Sequence, residues 1–238
     1  MEVNNGNNDI LVIIPAYNEE KNISFIIEHI IKMGYKVLVV DDCSSDNTVY
    51  IAQKAGAIIV SHSINLRYGA AIQSGYKYAL SRGYKYVVQI DADGQHNPEN
   101  IPELLAPVIE NKADLVIGSR FLGKCDYKIP FVRNIGINIF SFLTSFIIKQ
   151  KITDPTSGYQ ALNEKVMKYY VTDSFPHDFP DADVIIKAHK KNFNIMEIPV
   201  HMSDRKNGFS MHEHFFPIGY YIFKMFLSIF IELLTRKT

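Results

Sequence analysis

The sequence predicts an α/β fold with a mostly parallel sheet, and three observations carry that prediction. Short, fully apolar runs alternate along the chain with longer amphipathic stretches, the pattern of repeated strand–helix–strand units. Several of those runs end in acidic or polar residues, which gathers the polar chemistry at the carboxyl ends of the strands, where open α/β sheets bind ligands. A chain of 238 residues that is 47% hydrophobic can also bury one large core.

The elements follow in order. Residues 1–9 are polar and Asn-rich and are expected to be disordered. Ile10-Leu-Val-Ile-Ile14 is a strand stopped by Pro15, and Asn18-Glu-Glu20 opens a helix with Ile23, Ile26, Ile27, Ile30 and Ile31 at helical spacing. Val37-Leu-Val-Val40 is a second strand ending in Asp41-Asp42, and Ser44-Ser-Asp-Asn-Thr48 caps a helix that runs to Lys54, before Gly56. Ala57-Ile-Ile-Val60 is a third strand, residues 70–81 a helix and Tyr86-Val-Val-Gln-Ile90 a fourth strand. Residues 98–110 form a helix, and Asp114-Leu-Val-Ile-Gly118 is a fifth strand.

Composition removes several function classes. Lys+Arg and Asp+Glu balance at 25 each, so no global field points to nucleic acid. Cys43 and Cys125 are far apart and lack a partner motif, which suits a reducing compartment and provides neither a disulfide framework nor a zinc site. The N-terminus has no basic, then apolar, leader, so the chain is expected on the cytoplasmic side.

Asp91-Ala-Asp93, at the end of the fourth strand, is the most informative motif. Two carboxylates one residue apart are hard oxygen donors that suit Mg²⁺ or Mn²⁺, and an ion with open positions suits a diphosphate. The motif alone is also compatible with a solvated helix-capping turn.

The wider set of motifs resembles the family 2 glycosyltransferases with the GT-A fold, and within them the dolichol-phosphate-mannose-synthase-like group. Ile13-Ile-Pro-Ala-Tyr-Asn-Glu19, Val40-Asp-Asp-Cys-Ser-Ser-Asp46, Arg67-Tyr-Gly-Ala-Ala71, Asp91-Ala-Asp-Gly-Gln95, Gly118-Ser-Arg120, Asp154-Pro-Thr-Ser-Gly158 and Arg205-Lys-Asn-Gly-Phe-Ser210 occur in family order. The resemblance implies a metal-dependent, inverting transfer of sugar from a UDP- or GDP-linked donor, most simply to a membrane polyprenyl phosphate. A glycan hydroxyl is the alternative acceptor. It implies that Pro15, Ala16, Tyr17 and Glu19 line the base and ribose, that Asp42 accepts a hydrogen bond from a base N–H, and that Asp41 either binds or caps. Arg67 and Gly69 would approach the nucleotide, together with Asp91 and Ala92. Asp91, Asp93 and Gln95 would hold the metal, with His212 either a further ligand or a loop residue, and His96 is read as a turn residue. Asp181 would be the base or a helix cap, with Asp183 its acidic neighbour. Arg120, Arg133, Arg205 and Ser210 would serve phosphates or the acceptor. A sugar-phosphate nucleotidyltransferase would instead carry a Gly-rich, Arg-containing loop where Pro15 to Glu19 stand, and a non-catalytic membrane scaffold would be expected to lose Asp42, Asp91 or Asp93.

Two apolar helices complete the reading. Residues 134–149 keep Asn134, Asn138, Ser141, Ser145 and Lys149 on one stripe, and Lys224, Ser228 and Glu232 fall four apart in the second helix. Narrow polar stripes suit helices lying on a membrane surface or against a small membrane protein; the alternatives are burial in the protein's own core or in a homo-oligomer. The expected organisation is a glycosyltransferase domain over residues 10–212 and an amphipathic helix over residues 213–238, peripheral to the cytoplasmic face of the membrane.

Overall fold

The computed structural model describes residues 5–123, 131–203 and 215–234. The strands are Ile10–Ala16 (β1), Lys36–Asp41 (β2), Ile58–Ser61 (β3), Tyr86–Gln89 (β4), Leu115–Ser119 (β5), Gln160–Asn163 (β6) and Ile195–Pro199 (β7). The helices are Ile23–Lys32 (α1), Thr48–Lys54 (α2), Tyr68–Ser81 (α3), Ile101–Ile109 (α4), Phe131–Ile148 (α5), Glu164–Tyr170 (α6), Ala182–Lys190 (α7) and Phe215–Leu234 (α8). Asn5–Asp9 forms a 3-10 turn, tied by Asn7 to the Gly34 carbonyl; residues 1–4 of the stretch expected to be disordered lie outside the described residues.

One sheet runs in the order β3-β2-β1-β4-β6-β5-β7. β1 to β4 pair in parallel, as do β5 and β7, while β6 is antiparallel to both neighbours. β1 is buried along its length because both faces of the sheet are covered. Leu11 and Ile13 face a core completed by α3 and by the later helices, and Ile10, Val12 and Ile14 face one completed by α1 and α4.

β1 continues through Pro15 to Ala16, beyond the expected stop. Pro15 pairs with Val40, and the β4 ladder has ended at Gln89, so no donor is required of Pro15 on that side. The sequence reading omits β6 and β7. The reversed β6 matters most, because its start lies beside the end of β4, with Gln89 opposite Gln160. The segment 154–158 therefore lands on the edge that carries Asp91.

Candidate active site

The strand ends expected to receive the donor are stitched together by backbone amides. Asp42 N donates to Ala16 O at 2.9 Å and His62 N to Asp41 O at 2.9 Å. The turn after β1 is joined to the turn after β2: Asn18 N donates to Ser44 Oγ (2.9 Å), Ser45 N to Asn18 Oδ1 (2.8 Å) and Glu19 N to Thr48 Oγ1 (2.8 Å). Tyr17 stands exposed at this rim, while Pro15 and Ala16 are buried and can offer only backbone. The Glu19 side chain accepts from Asn22 at the start of α1.

The Asp42 carboxylate is spent on its own chain. Oδ1 accepts from Leu66 N (2.8 Å) and faces His62 Nδ1 (2.8 Å), and Oδ2 accepts from Arg67 N (2.7 Å). Beside the bond to a base N–H expected of it, this buried group anchors the loop that follows β3. Asp41 is also buried and accepts from Ser44 N at 3.3 Å, the strand-end alternative of its two readings. The anchored residue, Arg67, has φ 76° and ψ 167°, a region that glycine alone adopts without strain, at a cost of about 1–3 kcal/mol. Its guanidinium reaches Asp178 at 3.3 Å. Gly69 also differs from expectation: a Cβ there would lie 2.2 Å from the Pro176 carbonyl oxygen, so the close approach it permits is to this chain's own backbone.

Asp91 is held from both sides. Tyr68 Oη donates to Oδ1 at 2.7 Å, and His96 Nε2 lies 3.4 Å from Oδ2. Behind Tyr68, Gln89 Nε2 donates to its hydroxyl (3.1 Å) and to the Gly158 carbonyl (2.9 Å), and Tyr76 Oη donates to Gln89 Oε1 (2.7 Å). A Cβ on Gly158 would meet Tyr68 Oη at 2.6 Å and Asp91 Oδ2 at 2.9 Å, so glycine is the residue that lets this segment close on the metal motif. Burial works against ionising Asp91, yet His96, the Tyr68 hydroxyl and the Arg120 charge outweigh it and hold its carboxyl below the usual range. His96 is thus a buried partner of Asp91 and not a turn residue. Ala92 is buried in the core, so its side chain is not available to a nucleotide. Asp93 Oδ1 accepts from Gln95 N at 3.0 Å, and the Gln95 amide reaches Ser203 O at 3.5 Å.

Arg120, expected at phosphates or the acceptor, is paired within the chain. Its Nε donates to Asp154 Oδ2 at 2.6 Å and Nη2 to Asp154 Oδ1 at 2.5 Å and to Thr156 Oγ1 at 2.8 Å, with both charged partners buried. The pair fixes the 154–158 segment against the end of β5, and Glu197 from β7 caps the same segment through Thr153 N (2.7 Å) and Asp154 N (2.8 Å).

Asp181 precedes α7 and makes no side-chain cap bond to it, against the cap alternative. It accepts from Tyr221 Oη at 2.7 Å, and burial pushes its carboxyl up to about 7. Asp183 is deeply buried, accepts from Ser228 Oγ at 2.7 Å and from Val184 N at 2.9 Å, and so acts as an anchor rather than a group facing substrate. The side chain of Arg133, together with Arg205, Ser210 and His212, lies outside the described residues.

The stripe of α8 faces inward. Lys224 meets Asp178, Ser228 meets Asp183, and Glu232 meets Lys187 at 3.7 Å and Lys190 at 3.4 Å. Met225 and Ile229 are buried, while Phe223, Phe226, Leu227, Phe230 and Ile231 are exposed, as are Phe142 and Phe146 on α5. Among the described residues no helix is long and apolar enough to cross a membrane.

The family model for glycosyl transferase family 2 matches residues 11–171. The chain belongs to that family. This glycosyltransferase is 30% identical over 211 residues to a UDP-N-acetylglucosamine–dolichyl-phosphate N-acetylglucosaminyltransferase of Methanococcus voltae, covering 80% of this chain and 84% of the relative. It is 32% identical over 212 residues to the polyprenol monophosphomannose synthase of Mycolicibacterium smegmatis, covering 84% of this chain and 79% of the relative. Among solved structures, glucosyl-3-phosphoglycerate synthase from Mycobacterium tuberculosis in complex with Mn²⁺, UDP and phosphoglyceric acid superposes with a TM-score of 0.71 at 19% identity, over 95% of this chain and 79% of the other. That likeness shows the GT-A fold.

Proposed function

We propose that this glycosyltransferase moves a sugar from a nucleoside diphosphate to a polyprenyl phosphate at a membrane surface, with a divalent cation at Asp91 and Asp93. The carrying observation is the arrangement of α8, whose polar side holds the loop of Asp181 while its aromatic side stays exposed beside that of α5. Exposed apolar surface of this extent marks a membrane or partner contact, and here it lies on the helix that holds the Asp181 loop. The two named relatives differ in the sugar they carry and share a lipid phosphate in their names, which supports the acceptor class and leaves the sugar open.

The donor set fits Mg²⁺ or Mn²⁺: two carboxylates at one strand end are hard ligands, and these ions retain positions for phosphate oxygens. Among the described residues no group of three His, Cys, Asp or Glu gathers around an ion site. When bound, the ion offsets charge on the departing nucleoside diphosphate. Tyr68 and His96 keep Asp91 oriented for it, and the turns after β1 and β2 bind the nucleotide. The acceptor oxygen attacks the anomeric carbon from the face opposite the diphosphate, with inversion.

The second reading, a hydroxyl acceptor, is favoured by Asp181. A carboxyl poised at about 7 is well matched to removing a hydroxyl proton near neutral pH, whereas a phosphate acceptor is already ionised. The experiment is a screen of UDP- and GDP-sugars with vesicles containing polyprenyl phosphate, with and without Mn²⁺. Label in the lipid extract that disappears with EDTA supports the first reading; label only in water-soluble or glycan products transfers the assignment to the second.

A further inference from the structure

Helices ordinarily turn their polar side outward; α8 does the reverse, and each polar group so buried is matched. Tyr221 Oη donates to Asp181 Oδ2 at 2.7 Å, Ser228 Oγ to Asp183 Oδ2 at 2.7 Å, and Tyr220 Oη to Asp178 Oδ2 at 3.3 Å, where Lys224 also binds. One helix therefore contacts all three carboxylates of the loop before α7 and of its first turn. The Tyr221 ring is wedged edge-on between Phe179, at 5.0 Å, and Phe140 of α5, at 6.0 Å, which fixes where its hydroxyl lies. On its other side Asp178 pairs with Arg67, whose backbone hangs on Asp42, so the loop also touches the donor side.

We propose that Tyr221 is a positioning residue for the reaction, holding Asp181 toward the acceptor, and that Lys224 and Ser228 hold the rest of the loop in register with it. The proposal rests on the second reading above, in which Asp181 takes the proton of a hydroxyl acceptor. The other charged or titratable groups around Asp181 are Asp183 on α7, Arg120 after β5, Asp154 before β6 and Tyr68 on α3. Of these only Arg120 favours the carboxylate form as the Tyr221 hydroxyl does, so deleting that hydroxyl makes Asp181 harder to ionise.

The test is Tyr221→Phe in the full chain, which keeps the ring between Phe140 and Phe179 and removes only the hydroxyl. The expected result is a fall in kcat of about three- to tenfold, a donor KM held within about twofold, and an acid limb of the kcat–pH profile moved to higher pH. Hydrogen exchange over residues 176–186 should quicken, and should quicken further when Ser228→Ala is added, with β2 unaffected. A purely structural tyrosine would not move the pH limb. Unchanged kinetics and unchanged loop exchange, with Asp181→Asn inactive, would overturn the proposal and leave the base reading standing. Faster loop exchange with a silent Asp181→Asn would keep the positioning of the loop and remove the base reading instead. If Tyr221→Phe does not fold, Ser228→Ala alone carries the exchange measurement, and an unchanged loop then counts against the proposal.

Discussion

The proposed donor and acceptor sides of this site are both acidic, yet they are held in opposite ways. On the donor side Asp41 and Asp42 accept backbone amides from turns that follow β2 and β3, and Asp91 is clamped by residues at the β4 edge and the start of α3. On the acceptor side Asp178, Asp181 and Asp183 accept side chains from one helix 40 to 46 residues further on. These turns connect directly to paired strands, so their amides are positioned by the sheet. A docked helix can shift as a body, so the acceptor side depends on how α8 is seated. The lesson is that the chemistry of the donor half is built into the sheet, while that of the acceptor half is lent to it.

The largest expected effect is on the donor side. Asp93→Asn should reduce transfer to background and weaken donor binding, because an amide is a poor match for a hard divalent ion. Calorimetry with Mn²⁺ and nucleotide checks it, and full activity, or activity indifferent to EDTA, would remove the metal station from these residues. Gly158→Ala comes next: its methyl would occupy the space of Tyr68 Oη and the Asp91 carboxylate, and Mn²⁺ affinity should fall about 10–100-fold with the fold intact. Wild-type Mn²⁺ affinity in that variant would show that the clamp on Asp91 is dispensable. Asp42→Ala should lower stability by about 1–3 kcal/mol and raise the donor KM, since Leu66, Arg67 and His62 lose their partner. Denaturant titration and donor kinetics separate the two effects, and a raised KM with unchanged stability would return Asp42 to direct contact with the base.

The smallest effect concerns Asp181 and stability. Its folded pKa, about 7, stands above the ordinary carboxylate value, so between the two the folded state holds a proton that the unfolded state has released. The native state is therefore relatively favoured at low pH, and that advantage is lost as pH rises through about 7. Asp181→Asn should raise the Tm by a few degrees at about pH 8 and leave it unchanged at about pH 4. A gain of equal size at both pH values would mean the effect is packing and not charge. In the same variant the donor KM should hold, which is the acceptor-side counterpart of the losses predicted for Asp93 and Asp42.

Much of the donor half was legible in the sequence because it follows local rules. Apolar runs identify β1 to β5, Asp91 and Asp93 stand at the predicted strand end, and the turns that carry Tyr17 and Asp42 meet as the parallel order requires. The roles of Asp42, Gly69 and Arg120 were not legible, because a motif names a residue and not the partner that reaches it first. Asp154 takes the Nε/Nη2 edge of the Arg120 guanidinium, and Pro176 occupies the approach over Gly69. Tyr68 and Gly158 were both within quoted motifs, and only their convergence on Asp91 gives them a task.

By itself the sequence determined the alternation of strands and helices, the acidic edge, and the spacing of Lys224, Ser228 and Glu232 along one line of α8. The tertiary structure decided that β6 runs backwards between β4 and β5, which brings Gly158 to Asp91, and that the α8 stripe faces the protein while Phe223, Phe226 and Phe230 face outward. The physical reason is the same in both cases. Periodicity records which side chains share a face, but which face is covered depends on neighbours that arrive from elsewhere in the chain, and a carboxylate loop that needs donors can outbid water for a polar stripe.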